Sequence, residues 1–189
     1  LSWDELYAGV SRCRQALVHA GVSQGDRVAG YLPNMPEAVI AMLATASLGA
    51  VWSSASPDFG GEGVMDRFGQ IAPKVFFCAD GYFYNGNAID CMDKNREVAA
   101  RLQGLLRTVV VPYAGSSADG DGIQGGMGWE AFLAPFEPEE ITFQRVAFDH
   151  PLFIMFSSGT TGVPKCIVHS VGGTLLQHLK EHRLHGDIR

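Results

Sequence analysis

The stretch Val28-Ala29-Gly30-Tyr31-Leu32-Pro33-Asn34-Met35-Pro36-Glu37-Ala38-Val39-Ile40-Ala41-Met42-Leu43-Ala44-Thr45-Ala46-Ser47-Leu48-Gly49-Ala50-Val51-Trp52 decides the fold. Val28–Leu32 is a short apolar run of strand length. Asn34 and Glu37 stand at capping-box spacing and predict a helix through Ala38–Leu48, which Gly49 ends. Ala50–Trp52 is apolar again and reads as a second buried strand. Strand, helix and strand in so few residues make a βαβ unit, whose strands run parallel and whose crossover is right-handed.

The alternation continues on both sides. Upstream, Ser2 and Glu5 form a capping pattern, and Leu6, Val10, Cys13 and Leu17 follow at helical spacing until Gly21. A turn at Gly25-Asp26 leads into the first strand. Downstream, Val64–Ile71 is helical and stops before Pro73, Val75–Ala79 is a strand, Asp93–Leu105 a helix and Val109–Val111 a strand. A short helix near Trp129–Leu133 precedes a polar connector and strands at Leu152–Phe156 and Cys166–His169. The expected fold is α/β, a mostly parallel sheet with helices on both faces. Trp52, Phe76, Phe77, Phe153 and Phe156 fall in its strands and read as core. Residues 115–128 hold six glycines in fourteen positions and predict a surface loop. Asp119 and Asp121 there do not make an EF-hand, because the later ligands and the closing Glu are missing.

Composition narrows the function. The chain has 189 residues, 47% of them hydrophobic, which excludes wholesale disorder. With 20 acidic against 14 basic side chains, its charge of −6 argues against nucleic acid as a partner. No apolar run reaches the length of a membrane span, and the start does not resemble a signal peptide. Cys13, Cys78, Cys91 and Cys166 are far apart and read as buried thiols of a reducing, cytoplasmic compartment. Opening on Leu1 and stopping at Arg189, directly after a patterned helix, the sequence is expected to be a piece of a longer protein.

The chemistry concentrates in Ser157-Ser158-Gly159-Thr160-Thr161-Gly162-Val163-Pro164-Lys165. Glycines let backbone N–H groups approach an anion, hydroxyls donate to phosphate oxygens, and the lysine adds a mobile positive charge. This is not a Walker A loop, since Pro164 precedes Lys165 and a strand rather than a helix follows. The loop joins two strands, so no helix dipole faces the ligand. A polar hairpin turn is the plain alternative to a polyphosphate cradle.

SSGTTGVPK resembles the phosphate-binding signature of the adenylate-forming enzymes, the family of acyl-CoA synthetases, luciferases and peptide-synthetase adenylation domains. Gly25-Asp26-Arg27-Val28, Tyr31-Leu32-Pro33-Asn34, Pro36-Glu37-Ala38 and Leu48-Gly49-Ala50-Val51 resemble the start of that family's large domain. The likeness runs from Leu1 through His185. Trp52–Gly60, Lys165–His169 and Gln177–His182 are most similar to the branch that acts on acetoacetate, with the acetate and propionate enzymes as near neighbours.

The resemblance implies an ATP-dependent acid–CoA ligase. A carboxylate attacks the α-phosphorus of Mg·ATP, giving an acyl-adenylate and pyrophosphate, and the thiol of CoA then displaces AMP. By matching positions, Ser157, Ser158, Thr160 and Thr161 would donate to the β- and γ-phosphates. Gly159 and Gly162 would give the loop mobility, and Lys165 would be a charge partner for the phosphates. Lys165 is not the family's catalytic lysine, which lies in a small C-terminal domain. That domain, the adenine and Mg2+ motif and the ribose aspartate are absent from this chain. It therefore reads, over 1–189, as an incomplete N-terminal adenylation domain that is inactive alone. Tyr84, Asn85, Gly86 and Asn87 correspond to a segment near the CoA nucleotide, although Asn87 stands where a Lys is expected. A surface turn with aromatic anchors is the alternative there. A non-catalytic nucleotide-binding module is the rival from outside the enzymes.

Other patterns attract plainer readings. His178-Leu179-Lys180-Glu181-His182 matches an inverted zinc-protease motif, but no third ligand is evident. His19, His150 and His169 sit singly, and Asp66, Arg67, Glu97 and Arg101 read as solvated helix charges. Ser157 lacks the G-x-S-x-G elbow of a hydrolase nucleophile.

Overall fold

The computed structural model describes residues 1–115, 118–157 and 162–188. In chain order they form α1 (Trp3–His19), β1 (Arg27–Tyr31), α2 (Pro36–Ser47), β2 (Val51–Ala55), α3 (Gly61–Ile71) and β3 (Val75–Ala79). A hairpin of β4 (Gly81–Tyr84) and β5 (Asn87–Asp90) follows, then α4 (Met92–Arg101), β6 (Arg107–Val111), β7 (Gly126–Gly128) and α5 (Trp129–Leu133). The last elements are β8 (Pro151–Phe156), β9 (Cys166–Ser170), α6 (Val171–Lys180) and a π-turn, Glu181–His185.

Among the described residues, seven strands pair in the order β7-β6-β3-β1-β2-β8-β9, and β4–β5 stands apart. Every pair of the larger sheet is parallel except β8–β9. The central strands are apolar at consecutive positions because both faces are covered. Val28, Trp52, Val75, Phe77 and Val109 share a core with Leu17 of α1, Ile40 of α2 and Phe132 of α5. Their neighbours Ala29, Val51, Phe76, Cys78 and Val110 face the other way, against Val64 and Phe68 of α3 and Val98 of α4. Period two along each strand thus divides one sequence between two cores. The expected α/β architecture, helices on both faces of a mostly parallel sheet, is the one found.

Three local expectations change. The α2 cap is the extended Met35 with Pro36 at the first helical position, and Asn34 does not cap it. Pro preset for helical φ opens the helix without a side-chain acceptor. Helix α4 ends at Arg101 rather than Leu105, because Leu102 turns extended and Gly104 takes φ +72°. The segment read as a surface loop contributes β7, paired with β6, and buries Ile123. Its glycines serve close backbone packing: a Cβ on Gly126 would lie 2.1 Å from the Gly120 oxygen.

The polar connector after α5 is strapped across α1. Arg12 donates to the Phe136 oxygen at 3.0 Å, Ser11 Oγ donates to the Glu139 oxygen at 2.8 Å, and the Ile141 N–H donates to Tyr7 Oη at 2.8 Å. It delivers the chain to the start of β8, where His150 Nε2 sits 2.8 Å from the Gly49 oxygen. The pairing of β8 with β2 is slender, with Trp52 opposite Phe153 and Ser53 Oγ donating to the Ile154 oxygen at 2.8 Å.

Candidate active site

Parallel pairing puts the carboxyl ends of β1, β2, β3, β6 and β8 at one edge of the sheet. β1 connects onward to β2 on one side, whereas β3 connects to β6 on the other. At such a divergence the loops part, and open α/β sheets bind ligands in the resulting crevice. A cavity of about 390 Å³ lies there. Its walls come from Leu32–Asn34 after β1, Ser54–Asp58 at the end of β2, Tyr82–Tyr84 of the hairpin and Tyr113 after β6. A larger hollow of about 610 Å³ beneath α1 and α2 is mainly apolar, lined by Tyr7, Leu43 and Phe143.

The glycine- and hydroxyl-rich loop leaves the carboxyl end of β8 and returns through β9, on the expected strand–loop–strand frame. Ser158, Gly159, Thr160 and Thr161 lie outside the described residues. At its mouth the Ser157 N–H donates to the Lys165 oxygen at 3.1 Å, and the Lys165 N–H donates to Ser157 Oγ at 2.9 Å. Gly162 has φ +143°, in the range that favours glycine, with open space where a Cβ would stand. Lys165 is exposed and forms no ion pair among the described residues.

Gln70 of α3 holds the outgoing limb. Its Nε2 donates to the Pro164 oxygen at 2.8 Å, and Cys166 Sγ lies 3.6 Å from its Oε1. Gln70 did not stand out in the sequence; it lies 94 residues from Pro164 and only the fold brings them together.

Tyr84, Asn85, Gly86 and Asn87 form the tip of the β4–β5 hairpin. Asn85 at φ +49° and Gly86 at φ +78° make the two-residue turn that an Asn-Gly pair favours. Tyr84 lines the crevice, while Asn85, Gly86 and Asn87 are exposed and are not among its lining residues. Lys94 Nζ donates to the Pro57 and Phe59 oxygens at 2.6 and 3.2 Å and sits 5.0 Å from the Tyr31 ring centroid. Tyr31 Oη lies within hydrogen-bond reach of the same two carbonyls and has one proton to share between them, and burial pushes its hydroxyl pKa well above the usual phenol range. Lys94 and Tyr31 thereby fix the Pro57–Phe59 turn that forms one wall.

Elsewhere, His178 and His182 lie edge-on with ring centroids 6.3 Å apart, and Glu181 Oε1 pairs with Lys180 and accepts from Gln177. Among the described residues no group of three His, Cys, Asp or Glu is placed to hold a metal ion. Cys13, Cys78 and Cys91 are buried, and burial pushes all three thiols up, away from thiolate chemistry. Cys166, read as buried, is exposed instead, because β9 is an edge strand.

A family model described as AMP-binding enzyme matches residues 1–187. The chain belongs to the AMP-binding enzyme family. Among AMP-binding relatives, acetoacetyl-coenzyme A synthetase of Rhizobium meliloti (strain 1021) is 60% identical over 190 residues, covering 100% of this chain and 29% of the relative. Acetoacetyl-CoA synthetase of Macaca fascicularis is 50% identical over 193 residues, again 100% of this chain and 29% of the relative. A malonamoyl-CoA synthetase of Penicillium aethiopicum is 40% identical over 195 residues, covering 100% and 27%. The solved acetoacetyl-CoA synthetase from Streptomyces lividans superposes with a TM-score of 0.92 at 45% identity, covering 100% of this chain and 28% of that one. The chain thus spans under a third of the length of the AMP-binding relatives it matches. Among the described residues no helix is long and apolar enough to cross a membrane.

Proposed function

We propose that the protein carrying this chain is an ATP-dependent acid–CoA ligase of the cytoplasm, joining acetoacetate to CoA through an acyl-adenylate. The observation that carries this reading is the Ser157–Lys165 closure, which frames the family's signature loop between two strands. The 60% identity to an acetoacetyl-coenzyme A synthetase favours acetoacetate as the acid. Residues 1–189 would be the first part of the large domain and would be inactive alone.

In the first step an acetoacetate oxygen forms a bond to the α-phosphorus of Mg·ATP, and the bond to the bridging oxygen breaks, releasing pyrophosphate. Hydroxide is a poor leaving group from a carboxylate and AMP a good one, which is the purpose of the step. The loop's work is to position the phosphates and to stabilise charge on the departing pyrophosphate. Ser157, Ser158, Thr160 and Thr161 would donate to β- and γ-oxygens. Gly159 and Gly162 would let the loop close, and Lys165 would contribute a positive charge. Mg2+ enters with the nucleotide as part of the substrate, and no step is assigned to residues of this chain through it.

In the second step the CoA sulfur forms the thioester bond, the acyl–phosphate bond breaks, and AMP leaves. The crevice at the strand divergence would take part of CoA, with Tyr84, Asn85, Gly86 and Asn87 at its rim. Asn87 brings no positive charge to a CoA phosphate, so contact there would come from amide donors and aromatic faces.

Acid-dependent ATP–pyrophosphate exchange by the full-length protein tests the reading. The strongest exchange is expected with acetoacetate, weaker exchange with acetate and propionate, and loss on substitution within 157–165. Preference for acetate or propionate would keep the chemistry and change the substrate. No exchange with any acid would overturn the ligase and leave a non-catalytic nucleotide-binding module.

A further inference from the structure

Asp80 follows the wholly apolar β3 and is fully buried, yet the reaction outlined above gives it no part. Among the described residues its carboxylate accepts three successive backbone N–H groups: Tyr113 and Ala114 on Oδ1 at 2.7 and 2.8 Å, and Gly115 on Oδ2 at 3.1 Å. Its main chain is occupied as well. The Asp80 N–H donates to the Val111 oxygen at 3.1 Å, and its carbonyl accepts from the Cys91 N–H at 2.8 Å. One residue therefore anchors the turn after β6 and the base of the β4–β5 hairpin. These two segments carry Tyr113 and Phe83, whose rings meet edge-on at 5.8 Å and line the crevice although both are largely exposed.

We propose that Asp80 is a positioning residue for the crevice and hence for the CoA half of the reaction, an inference that rests on the ligase reading. A carboxylate is required because the three donors converge on two oxygens and need an all-acceptor partner. Asparagine has the same shape but turns an NH2 group toward at least one of those N–H groups. Such a buried donor–donor contact releases the turn. Tyr113 then leaves Phe83, and the aromatic rim loses its fixed spacing. The phosphate loop hangs from β8 and Gln70, and among the described residues neither hydrogen-bonds to Asp80, so the adenylation half stays intact.

The test uses the full-length protein with Asp80→Asn and, separately, Tyr113→Ala, which leaves the buried carboxylate with its three backbone donors. ATP–pyrophosphate exchange with acetoacetate, run without CoA, reads the first half-reaction, and thioester formation at varied CoA reads the second. KM for CoA is expected to rise about tenfold in both variants, the loss of roughly one good hydrogen bond or ring contact, with exchange kinetics close to those of the unaltered protein. Unchanged KM for CoA in Asp80→Asn, or exchange and thioester formation falling together in either variant, would overturn the inference. Should Asp80→Asn fail to fold, Asp80→Glu, which keeps an all-acceptor carboxylate but displaces it by one methylene, replaces it with the same expected rise and the same overturning result. Absence of exchange in the unaltered protein would instead overturn the ligase reading, and this inference with it.

Discussion

Ser157 and Lys165, eight residues apart, are tied to each other twice: Ser157 N–H to the Lys165 oxygen, and Lys165 N–H to the Ser157 hydroxyl. A hydroxyl has one proton to give and two lone pairs to receive with. Among the described residues Ser157 Oγ accepts from the Lys165 N–H and donates to no group, so its proton remains available. The same atom can thus close the loop and donate to a ligand.

Ser157→Ala removes the neck contact and the proposed donor to phosphate together. Acid-dependent ATP–pyrophosphate exchange should fall by about ten- to a hundredfold, as when a donor to a developing negative charge is lost. Ser157→Thr keeps the hydroxyl and should retain most of the rate. Equal activity of the alanine variant in steady-state exchange would show that the neck hydroxyl is dispensable.

Gln70 makes its contribution through an amide proton, since Nε2 donates to the Pro164 oxygen. Gln70→Glu presents two acceptors to that carbonyl and should be as damaging as Gln70→Ala. Each should raise KM for ATP several-fold, the loss of about 1 kcal/mol of loop positioning, while KM for CoA stays put. Initial-rate measurements varying each substrate in turn would separate the two.

Gly30 is packed by the indole of Trp52: a Cβ there would lie 2.5 Å from Cη2 and 2.6 Å from Cζ2. Gly30→Ala should therefore destabilise the fold by about 1–3 kcal/mol, the usual cost of overpacking. A lower urea midpoint with an unchanged slope would register it. Gly30→Ala combined with Trp52→Phe should recover part of the loss.

Asp26 supplies a pH-dependent element. Burial pushes its carboxyl up, but Lys74 Nζ at 2.7 Å and the Ser23 hydroxyl and N–H at 2.8 Å outweigh burial and hold it below the usual carboxylate range. A pKa lowered in the folded state means stability that is present above the unfolded value, about 4, and lost as pH falls through the folded one. Asp26→Asn should cost about 1–2 kcal/mol at neutral pH. That difference from the unaltered protein should vanish as denaturation is followed down below pH 4.

The parallel sheet could be read in advance because its strands are apolar on both faces and its helices on one, a contrast that periodicity resolves. Phe76 and Phe77, adjacent and both fully buried in opposite cores, are its clearest trace. Caps and ends were harder, since Met35 replaces Asn34 through a proline whose effect is on backbone φ rather than on hydrogen bonding. β7 was hidden because glycines that suit a loose loop equally suit a backbone packed so closely that a Cβ on Gly126 would lie 2.1 Å from the Gly120 oxygen. At the site, the local motif announced itself and its supports did not. Gln70, Lys94 and Asp80 act across 94, 37 and 33–35 residues, distances over which single-sequence spacing carries no signal. An Asp directly after five buried apolar residues was the one available clue.

The crevice walls are complete by Tyr113, whereas the loop proposed to hold phosphates starts at Ser157, after β8, which docks on β2 through Trp52 and Phe153, 101 positions apart. A ribosome needs roughly a few seconds to cover the stretch between them, and most β-α units close far faster. The four strands of the platform β6-β3-β1-β2 are therefore all synthesised before β8, and the β8–β9 hairpin is the last part of the sheet to be made. The order of birth runs opposite to the order of chemistry: the residues of the surface assigned to the second substrate are made before those of the loop assigned to the first.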